Sequence, residues 1–291
     1  MHKLIIYCLL YTAIFTSCVK TNTSKNDVLK SDTQKSSGKV YERIISTAPS
    51  NTEIITALGL AKKLIAVDRY SHDIPGLPPD ITYIDFLNPD AETLIVLAPD
   101  LIVANAINKQ GSGSESLAAI EKLGIQVVYI PVSDSLEGVI ADVLLIADLL
   151  NAGERGAAVG GEMRRVIEKV RTAAAGIPHK RTVYFEVEPA PHAVSFGSGL
   201  FLDEMIQIAG GINIFSGQTG FFVVNAEEVI KANPDVILTN AAELADPAAE
   251  LYSRAGFENI NAHKNKRIYF INTNNSVRAS PNIVKGLQEI A

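Results

Sequence analysis

The sequence predicts an α/β protein built as two similar lobes, each around a central parallel-type sheet, joined by one long helix, with a ligand cleft between the lobes. Three observations lead there. Residues 92–105 (ETLIVLAPDLIVAN) and 227–240 (EEVIKANPDVILTN) repeat one order of parts, 135 positions apart throughout. That order is a short helix opened by glutamate, a Pro-Asp pair, an apolar strand and a closing Asn. Residues 154–175 carry Val159, Met163, Val166, Ile167 and Val170 at spacings of three and four, with Gly176 and Pro178 stopping the run, which is a long amphipathic helix dividing the two copies. A chain of 291 residues with 47% hydrophobic content can bury one large core or two modest ones, and the duplication favours two. Duplication around a spanning helix makes a cleft between the copies the default ligand site.

Taken in order, residues 1–17 have a short basic start and an apolar run too brief to span a bilayer comfortably, so they read as a secretory signal. Cys18 follows at once, and Ile-Phe-Thr-Ser-Cys resembles a bacterial lipoprotein signal, in which Cys18 becomes the lipidated first residue. The predicted location is extracytoplasmic, in the periplasm or at the cell surface, tied to a membrane by lipid. Residues 18–39 form the lipidated Cys and a polar tether with too little apolar surface to fold, reaching roughly 25 Å as a coil. Loss of Lys3 with the signal makes the mature chain one charge more negative than the full-length −6, so nothing favours nucleic acid. Cys8 and Cys18 are the two cysteines, which leaves the folded body without a thiol for a disulfide, a metal or a nucleophile.

The N-terminal lobe is expected over 40–152, the interlobe helix over 153–177 and the C-terminal lobe over 178–291. The body opens with a strand from Arg43 into a Pro-Ser-Asn turn, then a helix capped by Ser50 or Asn51 and ended by Gly59. A second strand, 64–67, delivers Asp68 to Pro75 to a loop. The helix 154–175 has Gly156, Gly160 and Gly161 in its first turns, poor helix formers that make it depend on packing.

Several strings together resemble the helical-backbone class of ABC-importer binding proteins, which carry ferric siderophores, haem and cobalamin. They are Arg-Ile-Ile-Ser-x-Ala-Pro-Ser-Asn-Thr-Glu-Ile from Arg43, the Glu-initiated helix ending Ala-Pro-Asp-Leu-Ile-Val-Ala, Leu-Gly-Ile-x-Val, the run from Phe201 to Phe215, Asn-Pro-Asp-Val-Ile, and Arg-Ala-Ser-Pro-Asn from Arg278 to Asn282. The likeness covers Arg43 to the C-terminus, and Arg-Ala-Ser-Pro before the last helix is nearest the cobalamin binders. The resemblance implies two lobes on a rigid helix that close little on their ligand. It implies ligand contacts from Tyr70, Phe86 and Asn105 in the first lobe and from Val187, Ala193, Phe221, Asn274 and Arg278 in the second. Val187 and Ala193 stand where the cobalamin binders have Phe, and Phe221 where they have Trp. Arg278 is expected to clamp an anionic edge. Glu92 and Glu227, equivalent in the two copies, are implied to dock the permease of an importer that also has an ATPase. Helix capping is the competing role, since each lies in a first turn and Asn225 with Glu228 can form a capping box.

The expected function is therefore a solute-binding lipoprotein that takes up a metal chelate, a ferric siderophore or a corrinoid, as cargo. No resident cofactor, no structural metal and no catalysis are expected. The alternatives are a metal-dependent hydrolase using Glu186, Glu188 and His192, and a surface receptor or adhesin. Asp68, His72 and Asp73 sit on a facing loop, but no tight His spacing supports direct metal ligation. Residues 111–116 (GSGSES) lack the third glycine of a dinucleotide loop and read as a flexible connector. There is no Gly-x-Ser-x-Gly, and Ser50 has no partnered His in its motif.

Overall fold

The computed structural model describes residues 38–85, 87–109 and 113–291. The expected signal, Cys18, most of the expected tether and Phe86 lie outside the described residues. Among those described, no helix is long and apolar enough to cross a membrane. The chain divides into two compact units. Among the described residues, one holds 38–166 together with Arg278–Ile283, and the other holds Ile167–Val277 together with Val284–Ala291. The division falls inside the long helix. The return of Arg278–Ile283 to the first unit departs from a C-terminal lobe running unbroken over 178–291.

The first unit runs β1 (Ile44–Ser46), α1 (Pro49–Ala57), β2 (Leu64–Asp68), β3 (Thr82–Ile84), α2 (Ala91–Val96), β4 (Leu101–Asn105), α3 (Gly113–Lys122), β5 (Gln126–Ile130) and α4 (Leu136–Leu149). Its five strands lie in the order β3-β2-β1-β4-β5, all parallel. Leu101, Ile102, Val103 and Ala104 are all fully buried, the near-continuous apolar run of a strand covered on both faces. The chain steps from β1 outward to β3, then returns to β4 on the other side. The carboxyl ends of β1 and β4 therefore mark the switch point where open α/β sheets place ligands.

Helix α5 (Gly153–Ala174) ends three residues short of the expected 177. Met163, Val166, Ile167 and Val170 are buried as the spacing predicts, while Arg164 pairs with Glu137 and Arg165 with Glu162 on the outside. A Cβ on Gly156 would stand 2.3 Å from the Cβ of Ala147, so this glycine buys close approach of α5 to α4 rather than merely weakening the first turns. Helix α1 departs from expectation at its start. Ala48 is its N-cap with no side-chain cap, and Pro49 takes the first turn, leaving Ser50 and Asn51 inside the helix. Gly59 ends it at φ +71, as read. Gly113–Ser116 begin α3 instead of forming a connector.

The second unit contains β6 (Thr182–Glu186), β7 (Val194–Phe196), α6 (Phe201–Ile208), β8 (Ile212–Asn213), β9 (Phe221–Val223), α7 (Ala226–Ala232), β10 (Val236–Thr239), α8 (Pro247–Ser253), α9 (Asn261–Lys264), β11 (Ile268–Phe270), α10 (Thr273–Val277) and α11 (Ile283–Ile290), the last entered from the first unit at Ile283. The sheet order is β11-β10-β6-β8, parallel, with β7 and β9 as a separate antiparallel ribbon. Alternation along β6 sends Val183, Phe185 and Val187 into one core and Tyr184 into the other.

The repeat is structural as well as textual. Ala98 and Asn233, equivalent residues ahead of each Pro-Asp, both take the left-handed conformation at φ 46 and 49. The two aspartates then do the same work. Asp100 accepts from the N–H groups of Glu42 (2.7 Å) and Arg43 (3.1 Å), and Asp235 from the N–H (3.1 Å) and hydroxyl (3.0 Å) of Thr182. Each bolts the start of the strand that lies beside its own.

Candidate ligand-binding site

In the first unit the loop after β2 is built on Asp68. Its carboxylate accepts the Tyr70 N–H at 2.8 Å and the Ser71 hydroxyl, making one 3₁₀ turn that holds Tyr70 half-buried. Burial of Asp68 pushes its pKa up to about 6, against the pull of those donors and of Arg278. The Tyr70 carbonyl accepts from Arg278 Nη2 at 2.9 Å, so these two expected ligand contacts are brought together.

Arg278 is engaged differently from the expectation. Its Nη1 donates to Glu53 Oε1 at 2.8 Å and its Nη2 to Asp73 Oδ1 at 2.9 Å, all within the first unit. Glu53, buried on α1, also accepts from Asn282 Nδ2 at 2.9 Å and from the Ser280 hydroxyl. One carboxylate thus gathers three donors from residues 278–282 and fastens that segment to α1. The guanidinium fork expected to hold an anionic ligand edge already holds two carboxylates of its own fold.

Asn105 closes β4 half-buried. Its Oδ1 accepts the Ile107 N–H at 2.9 Å, an Asx turn that shapes the loop at the switch point. In the second unit, Val187, Ala193 and Phe221 meet around the β7–β9 ribbon. The Val187 N–H donates to Val194 O at 2.8 Å, and the Val224 N–H to Ala193 O at 2.7 Å. Val187 is 3% exposed among Phe185, Phe196 and Leu238, which makes it a core side chain. Phe221 packs half-buried on that core, edge to face with Phe196 at 6.2 Å. Asn274 lies half-buried on α10.

The carboxylates named for a hydrolase separate. Glu186 accepts Arg254 Nη1 at 2.6 Å and Nη2 at 2.9 Å, and the Tyr184 hydroxyl at 2.9 Å, so its lone pairs are consumed by the fold. Among the described residues there is no group of three or more His, Cys, Asp or Glu able to hold a metal ion. Glu188, two residues on, is buried with Oε1 unpartnered. Burial and the nearby Glu243 carboxylate push it up to about 7. The Glu53 and Glu186 networks were not read from the sequence, because their partners lie 225 and 68 positions away with no periodic signal linking them.

Glu92 and Glu227 take equivalent places on α2 and α7, both at the second residue of the helix and both exposed. Neither caps its helix. Asp90 accepts the Thr93 N–H at 2.8 Å in the first copy, and Asn225 with Glu228 forms the capping box in the second. Among the described residues no side-chain hydrogen bond or ion pair engages either carboxylate. Apolar side chains stand beside both, with Ile95 and Val96 (84% exposed) one turn along α2 and Val223 (66% exposed) just ahead of α7.

A family model described as "Periplasmic binding protein" matches residues 44–274. An uncharacterized ABC transporter substrate-binding lipoprotein of Bacillus subtilis (strain 168) is 27% identical over 258 residues, 87% of this chain and 80% of the relative. The vitamin B12-binding protein of Vibrio cholerae serotype O1 (strain ATCC 39541 / Classical Ogawa 395 / O395) is 26% identical over 251 residues, 86% of this chain and 87% of the relative. The crystal structure of a possible iron-binding (periplasmic solute-binding) protein from Staphylococcus epidermidis ATCC 12228 matches at TM-score 0.77 and 27% identity, covering 87% of this chain and 98% of that one.

Proposed function

The chain belongs to the periplasmic binding protein family, and we propose that it captures a metal chelate, a ferric siderophore or a corrinoid, outside the cytoplasm and delivers it to an ABC permease. It is a substrate-binding transport protein, not an enzyme. Relatives described as vitamin B12-binding and possibly iron-binding support this cargo class. The observation that carries the transport reading is the matched pair Glu92 and Glu227. Two helices equivalent in the repeat each present an exposed carboxylate that its own capping arrangement does not use, beside exposed apolar side chains. Such a pair suits arginines on the two halves of a permease, where charge sets register and association rate more than raw affinity. A lipid anchor at Cys18 accords with the lipoprotein description of the Bacillus relative.

The cargo is tested by calorimetry of the purified protein against ferric hydroxamates, ferric catecholates, haem and corrinoids. At least one is expected to bind in the micromolar range or tighter, and Tyr70→Ala and Phe221→Ala are each expected to weaken it by on the order of 1 kcal/mol. A panel with no binder removes the proposal. Binding indifferent to both substitutions moves the site elsewhere.

A further inference from the structure

Glu186 and Glu188 lie two residues apart at the end of β6, equally buried, with opposite outcomes. Glu186 is satisfied by Arg254 and Tyr184. Glu188 has no ion pair among the described residues, and its Oε1 has no hydrogen-bond partner although 94% of the residue's surface is covered. Its backbone is fixed: the Glu188 carbonyl accepts the Val194 N–H at 3.0 Å, and the Glu188 N–H reaches back to Val194 O at 3.4 Å, closing a bridge to β7. The side chain is therefore set in place by a ribbon rather than carried on a loose loop.

A second buried acceptor is open on the adjacent strand. Thr239, the last residue of β10, pairs in register with Glu186, and Asn240 follows it fully buried. Asn240 Nδ2 donates to Ser276 Oγ at 2.9 Å. Ser276 gives its own proton to the carbonyl of Asn272 or Thr273, both at 3.0 Å, which fixes the amide with its oxygen turned away from Ser276. That Oδ1 has no partner. The equivalent residue of the first copy, Asn105, uses its Oδ1 on the Ile107 N–H. The second copy thus keeps open an atom that the first copy spends on its own turn.

Both open atoms are acceptors at the carboxyl end of paired strands, and the Glu243 carboxylate adds negative charge beside Glu188. A group that completes them is a donor and is favoured by positive charge. A hard metal ion fits poorly, since it wants six or more oxygens and, among the described residues, no group of three or more acids, histidines or cysteines is assembled to hold one. A protonated amine, with three N–H donors and one charge, matches the open Glu188 oxygen and the field of the neighbouring Glu243. We propose that Glu188 receives a protonated amine carried by the solute. This rests on the solute-binding reading and narrows it to chelates with a cationic arm.

Two measurements test it. In the ligand-free protein at pH 8, Glu188→Gln is expected to raise the melting temperature by about 2 °C or more, because it removes a buried charge that nothing in the fold compensates. A fall instead shows that the carboxylate already has its partner within the fold and overturns the inference. Calorimetry then compares ferrioxamine B, a ferric trishydroxamate with a free ammonium, against its N-acetyl derivative, the same chelate without the charge. The wild type is expected to prefer the cationic chelate by about tenfold or more, and Glu188→Gln to bring the ratio within about twofold. Equal wild-type affinities overturn the inference and leave the transport reading standing. Binding of neither tells against a hydroxamate cargo, and the amine site then stands or falls on the melting comparison.

Discussion

Glu53→Gln is a near-isosteric change that removes one charge, and the structure sets the size of its effect. Glu53 is 6% exposed and its partner Arg278 11%, so their pairing is little screened by solvent. The carboxylate accepts from Arg278, Asn282 and the Ser280 hydroxyl. Gln keeps one oxygen and presents an NH₂ group to donors, which leaves Arg278 with the third-exposed Asp73 as its remaining ion-pair partner. Breaking a buried pair while leaving its partner costs roughly 3–5 kcal/mol. For a body of this size each kcal/mol moves the melting temperature by about 2–4 °C, so a fall of about 6 °C or more is expected. Scanning calorimetry measures the fall, and hydrogen exchange over residues 278–283 locates it. Arg278→Leu combined with Glu53→Gln should be less destabilised than the two single variants added together, since each removes the charge that strands the other. A fall below about 2 °C, or additive single effects, refutes the assignment of Glu53 as the fastening of this segment.

Cys18→Ala is expected to move the protein from the membrane fraction to the soluble one; retention in the membrane contradicts the lipid anchor. Asp142 is buried on α4 with only the Ser133 hydroxyl, at 2.6 Å, to set against desolvation, which pushes its carboxyl up to about 6. Because that lies above the ordinary 3.8, its contribution is full below about pH 4 and is lost as pH rises through about 6. The loss is on the order of 3 kcal/mol, so urea unfolding should show Asp142→Asn gaining on the wild type between pH 4 and pH 8, and a pH-independent gap counts against it. Glu92→Lys with Glu227→Lys should abolish uptake while melting temperature and solute affinity stay near wild type, and surviving uptake removes the docking role.

Much of the architecture was legible because its signals are local. The Pro-Asp repeat announced two equivalent helix–strand units, and the structure gives it a cause: a left-handed residue turns the chain and the aspartate bolts the neighbouring strand, at Ala98 and Asp100 and again at Asn233 and Asp235. The apolar spacing of α5 was equally readable, since a helix that buries one face must repeat at 3.6 residues. Helix caps were less so. Ser50 and Asn51 are good cap residues by type, but Pro49 is pre-set for a first turn, and the cap falls at Ala48, two residues ahead of Ser50.

What sequence could not resolve is which of several chemically identical groups the fold leaves open. Glu186 and Glu188 share a residue type and are both buried; the arrival of Arg254 from α8's end, with the Tyr184 hydroxyl, separates a structural carboxylate from an unsatisfied one. Arg278 makes the same point with opposite sign, because a cation in a motif associated with ligand contact is taken by Glu53, 225 positions away. Asn105 and Asn240 make it a third time, within the repeat itself, where one side-chain oxygen closes a turn and its counterpart remains free. Fold follows from patterns that recur along the chain. On the proposed reading, recognition lies with residues at which the two copies stop agreeing, so differences between copies at strand ends are where ligand specificity should be sought first.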